Sequence, residues 1–185
     1  MRVAATQGEQ FKTENSRLDQ KACLDHFEHL GLIRRLRPWF TNGLKRFEKN
    51  PKVYIRDSGL LHCLLRRQTF DELRGDGTLL GHSWEGFCIE NLVEATPQAS
   101  AFYYRSEDQD EVDLVLEFSP GLRLAIEIKS GSAKLGQGFE RALKTLGITG
   151  GYVVRQVPES YDNGNHRVMT LRDMINVLQT VQFRS

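Results

Sequence analysis

The chain has 185 residues, 39% of them apolar and 26% charged, which is ordinary usage for one well-packed domain with a small appendage. No hydrophobic run approaches a membrane span and no N-terminal stretch reads as a signal peptide, so the expected location is the cytoplasm. Three cysteines, Cys23, Cys63 and Cys88, are odd in number and lack a Cys-x-x-Cys pair, which argues against a disulfide framework and a zinc knuckle.

The net charge of +1 hides a segregation. Residues 1–60 carry 12 Lys and Arg against 7 Asp and Glu, and residues 61–185 carry 13 against 17. Residues 1–20 are polar without a sustained period and read as a flexible leader. Lys21 to Leu30 then places Cys23, Leu24, Phe27 and Leu30 at helical spacing, with Gly31 as the stop. Short strands are expected over Leu32–Arg37 and Lys52–Arg56, around a turn at Asn42-Gly43. Helix, strand, loop, strand is the tail of a winged helix, so residues 21–60 read as a partial module of that kind. Between Arg34 and Arg56 lie Arg34, Arg35, Arg37, Lys45, Arg46, Lys49, Lys52 and Arg56, interleaved with Trp39, Phe40, Phe47 and Tyr54. Such a stretch can track a nucleic-acid backbone, or form a solvated basic loop over a small core.

Asp57 or Ser58 caps a short helix through Leu65, and Gly75-Asp76-Gly77 marks a loop. The next helix is expected to start at an N-cap, Ser83. At 100° per residue, Trp84, Cys88, Ile89, Leu92 and Ala95 form one apolar arc that includes Glu85, while Glu90 and Glu94 face solvent. A carboxylate inside an apolar arc needs a partner or a metal, unless it snorkels at the arc's edge.

Val112, Leu114, Leu116 and Phe118 alternate with polar positions, as do Leu122, Leu124, Ile126 and Ile128, so two strands with one buried face are expected. Ser119-Pro120-Gly121 suits a three-residue hairpin loop with Gly121 left-handed. That register sets Phe118 opposite Leu122, Leu116 opposite Leu124, Asp113 opposite Glu127 and Glu111 opposite Lys129. All four charged residues then share a face; a loop shorter or longer by one residue would put Asp113 and Glu127 on opposite faces. Like charges directly opposite one another destabilise a sheet, so a compensating cation is expected, Mg2+ suiting hard carboxylate oxygens best. The alternative is an ordinary solvent face of an amphipathic hairpin. Beyond it, Phe139, Ala142, Leu143 and Leu146 mark a helix, Gly151–Arg155 a strand, Val168–Thr170 an edge strand, and Leu171–Val181 a closing helix.

An Asp followed by a hairpin and Glu-x-Lys resembles the PD-(D/E)XK nuclease superfamily. More narrowly, five stretches in order resemble the C-terminal domain that follows an AAA+ ATPase module in many prokaryotic proteins. They are Lys52–Leu60, Gly81–Val93, Tyr104-Arg105, Glu111-Val112-Asp113 and Ala125–Ser130, within about residues 24 to 180. The resemblance implies an α/β, restriction-endonuclease-like core of helix, three strands, helix and strand over residues 61–185. It implies that Glu85, Asp113 and Glu127 hold Mg2+ or Mn2+, with Lys129 as the fourth catalytic residue. The expected activity is metal-dependent phosphodiester hydrolysis. Arg105 is a candidate phosphate contact, or else an ion-pair partner of Glu107, Asp108, Asp110 or Glu111. The expected partner is nucleic acid, DNA before RNA; the alternative is a non-catalytic module on the same fold that binds nucleic acid or protein. No membrane partner is expected. Gly131–Gly136 continues with Gln137-Gly138 where a phosphate loop needs Lys and Ser or Thr, so no ATP site is expected and the chain reads as detached from its ATPase module.

Overall fold

A computed structural model describes residues 20–40, 50–67, 69–131 and 135–182. Lys45, Arg46 and the Asn42-Gly43 turn lie outside the described residues. A first helix, α1, covers residues 20–29 and ends at Gly31. The hairpin β1 (Ile33–Pro38) and β2 (Lys52–Ile55) follows, then α2 (Ser58–Leu64) and α3 (Phe70–Arg74). Asp57 caps α2 by accepting from the Leu60 amide at 2.7 Å, and Thr69 with Glu72 closes a capping box on α3.

The rest runs α4 (Gly77–Glu94), β3 (Ser100–Arg105), β4 (Glu111–Ser119), β5 (Leu122–Lys129), α5 (Gln137–Leu146), β6 (Gly151–Arg155), β7 (Tyr161–Asn163), β8 (His166–Met169) and α6 (Leu171–Gln182). The eight strands form one mixed sheet in the order β2-β1-β3-β4-β5-β6-β8-β7. Four of its neighbour pairings are antiparallel, and β1 with β3, β5 with β6 and β6 with β8 are parallel. The stretch Val168–Thr170 is therefore not an edge: β8 lies between β6 and the short, exposed β7, which carries no apolar alternation to announce it.

Helices cover both faces of this sheet. On one face Cys88, Ile89 and Leu92 of α4 and Met174 and Leu178 of α6 pack on Leu114, Leu116, Ile126 and Ile128. On the other, Phe139, Ala142, Leu143 and Leu146 of α5 pack on Val115, Ala125 and Val153. Burying a Leu, Ile or Phe side chain contributes about 2 kcal/mol, so both faces hold the sheet. Arg141 of α5 grips Asp110, just before β4, with Nη2 to Oδ1 at 2.6 Å.

Two details correct the expected helix. α4 begins at Gly77, where Asp76 accepts from the Leu79 amide at 3.0 Å, so Ser83 is not its N-cap. Ser83 lies inside the helix, its Oγ 2.7 Å from His62 Nε2. The apolar arc starts at Trp84, and the earlier turns of α4 set Leu79 and Leu80 among Gly77, Gly81, His82 and Ser83, which signal no helix by themselves.

Strand β4 carries one irregularity in each of its two pairings that alternation does not reveal. Leu116 does face Leu124, but Ser119, not Phe118, faces Leu122. The turn is thus a two-residue Pro120-Gly121 loop, with Gly121 at φ +92°, a backbone region that only glycine adopts without strain. Phe118 is the extra residue, and its bulge absorbs the shorter loop so that the inner register survives. Between β3 and β4 a second irregularity sets Phe102 against Val115 but Tyr104 against Val112. Two steps on β3 match three on β4, so Val112 packs with Val115 on the α5 face rather than with Leu114 and Leu116.

Candidate acidic site between the hairpin and helix α4

The β4–β5 ladder runs inward as far as Leu114–Ile126. Past that point Asp113 does not pair through its backbone. Its Oδ2 accepts from the Ile128 amide at 2.9 Å, a side chain taking the place of a ladder bond. The expected backbone pairings of Asp113 with Glu127 and Glu111 with Lys129 are therefore replaced by a splayed end into which carboxylates fit. Asp113 and Glu127 are buried, at 8% and 6% exposure.

Glu85 approaches from α4. It lies in the apolar arc, as the 100° periodicity indicates, and has partners: Tyr54 Oη donates to its Oε1 at 2.6 Å and Lys52 Nζ lies 3.2 Å away. Lys52 and Tyr54 alternate on β2 and so reach the same side. Gly86 makes room for this, since a Cβ there would sit 3.2 Å from the Tyr54 ring. The Lys52 ammonium is also 2.7 Å from Glu111 Oε1 and 3.4 Å from Asp113 Oδ1. Lys129 Nζ is 2.5 Å from Glu127 Oε1, while Glu127 Oε2 is buried without a hydrogen-bond partner.

Four carboxylates thus meet two ammonium groups and, at the exposed rim, the Arg105 guanidinium, whose Nε is 3.9 Å from Glu111. The cluster is negative when fully ionised, and the carboxyl groups respond. Burial, then the Glu85 charge, raises the Asp113 pKa, against the pull of Lys52, the Ile128 amide and Lys129. Burial and the nearby Asp113 push Glu127 up to about 7. Burial opposes the charges of Lys52 and Lys129, but the surrounding carboxylates outweigh it and hold both protonated.

Whether a divalent ion fits depends on the donors. Hard carboxylate oxygens suit Mg2+ or Mn2+, and the orphaned Glu127 Oε2 is a buried acceptor with nothing to accept from. Among the described residues, however, no three carboxylates converge as a cage, and the Lys52 ammonium lies within 3.2 Å of Glu85 and 3.4 Å of Asp113. Replacing Lys52 with Met should therefore strip the cluster of its main cation. Breaking a fully buried pair costs about 3–5 kcal/mol. With Lys52 at 24% side-chain exposure a loss of about 2 kcal/mol is expected by urea unfolding at low salt. Unchanged stability would mean that the ammonium is solvated.

Among the described residues, most of the basic segment is committed elsewhere. Arg34 holds Glu90 through Nε at 2.7 Å and Nη2 at 3.1 Å, and Arg56 Nε lies 2.6 Å from the same carboxylate. Glu90 is thus not solvent-facing; its side chain is 15% exposed, and after the cost of burial both guanidiniums hold its pKa down. Arg35 pairs with Asp25 and Glu28. Arg37 is exposed, and Arg105 also donates to Gln109. Arg34 and Arg35 are therefore not part of an open cationic stripe among the described residues.

In the sequence, Lys52 and Tyr54 read as a basic and an aromatic residue of that segment, within the resembling stretch Lys52–Leu60. Their alternation within Lys52–Ile55 and the place of that strand among the resembling stretches were the available signals.

Residues 80–174, about half the chain, match the domain of unknown function DUF4143. The chain belongs to the DUF4143 family. Residues 8–71 match a second domain of unknown function, DUF8612. The DUF4143 stretch supplies Glu85, Glu111, Asp113, Glu127 and Lys129, and the DUF8612 stretch supplies Lys52 and Tyr54, so the acidic site draws on both. DUF4143 is typically the C-terminal domain of AAA-ATPase-like proteins. Two uncharacterised proteins, from Mycobacterium bovis and Mycobacterium tuberculosis, are each 40% identical over 124 residues, covering 66% of this chain. The chain spans only 28% of their length. No solved structure matches. No helix among the described residues is long and apolar enough to cross a membrane.

Proposed function

We propose that the acidic site hydrolyses phosphodiesters in nucleic acid, DNA before RNA, with a divalent cation, on a nuclease-like core of the PD-(D/E)XK kind. The observation that carries this reading is the orphaned Glu127 Oε2, buried beside Asp113 and Lys129 at the splayed end of a hairpin. The element order α4, β3, β4, β5, α5, β6 supports it, since it runs helix, three strands, helix, strand.

Asp113 and Glu127 would hold Mg2+ or Mn2+, with Glu85 joining once the Lys52 ammonium moves aside. When bound, such an ion polarises a phosphoryl oxygen and lowers the pKa of water. The chain's own residues do the rest. The Ile128 amide fixes the Asp113 carboxylate, and Tyr54 fixes Glu85. Lys129 stays charged beside Glu127 and can donate to negative charge developing on a phosphate.

A second reading, a non-catalytic module that binds nucleic acid or protein, is favoured by the Lys52 ammonium, which already neutralises part of the cluster without a metal. Labelled single-stranded and duplex DNA and RNA, incubated with the protein and Mg2+ or Mn2+, separate the two. Cleavage that EDTA abolishes is the expected result; intact substrate across all of them, with binding retained, would leave the non-catalytic module.

A further inference from the structure

Three guanidinium groups among the described residues share an arrangement that Arg155 lacks. Arg34, Arg35 and Arg141 each turn the edge formed by Nε and Nη2 onto a carboxylate, respectively Glu90, Glu28 and Asp110. That edge presents two parallel N–H donors matched to the two oxygens of a carboxylate or phosphate. In Arg155 the same two atoms, Nε and Nη2, are buried with no hydrogen-bond partner. A desolvated, unmatched fork is unfavourable, and an oxyanion is the group that completes it.

Its position says which oxyanion. Arg155 ends β6 and is the register partner of Lys129 on the parallel strand β5, while Glu127 faces Val153 two residues earlier. Residues 153 and 155 alternate to one side of β6, so Arg155 leaves the backbone on the same face as its register partner Lys129, at the carboxyl ends of two parallel strands, where ligands of open α/β sheets bind. Lys129 already answers Glu127, and no carboxylate of the cluster reaches Arg155. The residue as a whole is only partly buried, so a rotamer change of its stem brings the fork to an incoming ligand.

We propose that Arg155 is a phosphoryl-oxyanion binding residue of the acidic site, gripping two non-bridging oxygens of a phosphate through Nε and Nη2 beside Lys129. The inference rests on the reading of that site as one that handles phosphodiesters, but it concerns binding and does not require cleavage. A nucleic-acid phosphodiester and a free phosphate share this chemistry.

The test compares the full chain with Arg155→Met and Arg155→Lys, without added metal. Binding of a fluorescent DNA oligonucleotide is followed by anisotropy over a salt series, and binding of inorganic phosphate by calorimetry. Arg155→Met should lose about tenfold in affinity, and for DNA its salt slope should fall by about one. Arg155→Lys keeps the charge and should keep the slope while losing affinity, because a single ammonium cannot make the two parallel bonds. A loss confined to phosphate identifies the free anion as the ligand, and a loss that includes DNA identifies the phosphodiester. The ligand-free Arg155→Met protein should also melt higher than the parent, since it no longer buries an unmatched cation. If Arg155→Met melts lower and binds both probes as the parent does, or if the parent binds neither, Arg155 is structural and the proposal is overturned. Binding that depends on Arg155 with no hydrolysis under any metal leaves it standing and removes only the catalytic reading.

Discussion

An Asp113→Asn protein is expected to melt at a higher temperature than the parent in the absence of metal, and to lose its response to Mg2+ or Mn2+ together with at least ~100-fold of any metal-dependent cleavage. The two effects have opposite signs because the charge that would serve a cation is a burden without one. The Asp113 carboxylate is buried, and burial and the Glu85 charge raise its pKa more than Lys52, the Ile128 amide and Lys129 lower it. The asparagine amide keeps nearly the same shape, and its oxygen can still accept from the Ile128 amide that Oδ2 now serves at 2.9 Å. It removes the repulsion and the desolvated charge, leaving Lys52 with Glu85 and Glu111. A hard cation, by contrast, gains little from an amide oxygen where it needs an anionic one. Thermal melts with and without 5 mM Mg2+, about a hundredfold excess over the protein, read both effects through linkage. An Asp113→Asn variant that melts lower without metal and still gains from Mg2+ would make Asp113 a structural residue, and the non-catalytic module would become the better account.

The hairpin shows how far local pattern reaches. Alternation in Val112–Phe118 and Leu122–Ile128 was enough to set Leu116 against Leu124, although helices bury both faces of these strands and not the one face that alternation implied. It did not reveal that Phe118 bulges and the turn is a residue shorter, since two compensating irregularities leave the inner register unchanged. Nor did it show that the strands part at Asp113, because a side chain accepting from the Ile128 amide is a tertiary event with no period. The Glu85 position was legible for a plain reason: a carboxylate at helical spacing with Cys88, Ile89 and Leu92 is out of place unless something meets it.

What met Glu85 was not legible. Lys52 and Tyr54 are more than 30 positions away in sequence, on a strand that reaches the site only because β1 adds in parallel to β3. The same distance hid the partners of Glu90, which periodicity placed on a solvent face and the β1–β2 hairpin covers with Arg34 and Arg56. Arg155 stood in a short apolar strand as its one charge, and only the pairing of β6 with β5 puts it beside Lys129.

Glu127 should make the stability of the ligand-free protein depend on pH across neutrality. Its pKa rises from the ordinary 4.5 to about 7, first through burial and then through the Asp113 charge, against the opposing pull of Lys129. The folded protein therefore holds this proton more tightly than the unfolded chain does. The stability so contributed is fully present below about pH 4.5 and is lost as the pH rises through about 7. The loss is on the order of 3 kcal/mol if Glu127 titrates alone, and less if Asp113 takes up part of the same proton. Glu127→Gln fixes the neutral form, so the difference in melting temperature between variant and parent should be small at pH 5 and widen in the variant's favour by pH 8. Lys129 sets the limit on that gain, because its ammonium loses the Glu127 Oε1 contact at 2.5 Å when the charge is removed. A parent whose melting temperature rises from pH 5 to pH 8 relative to Glu127→Gln would mean that Lys129 dominates and Glu127 is held as a paired carboxylate. The orphaned Oε2 would then no longer mark a place for a cation.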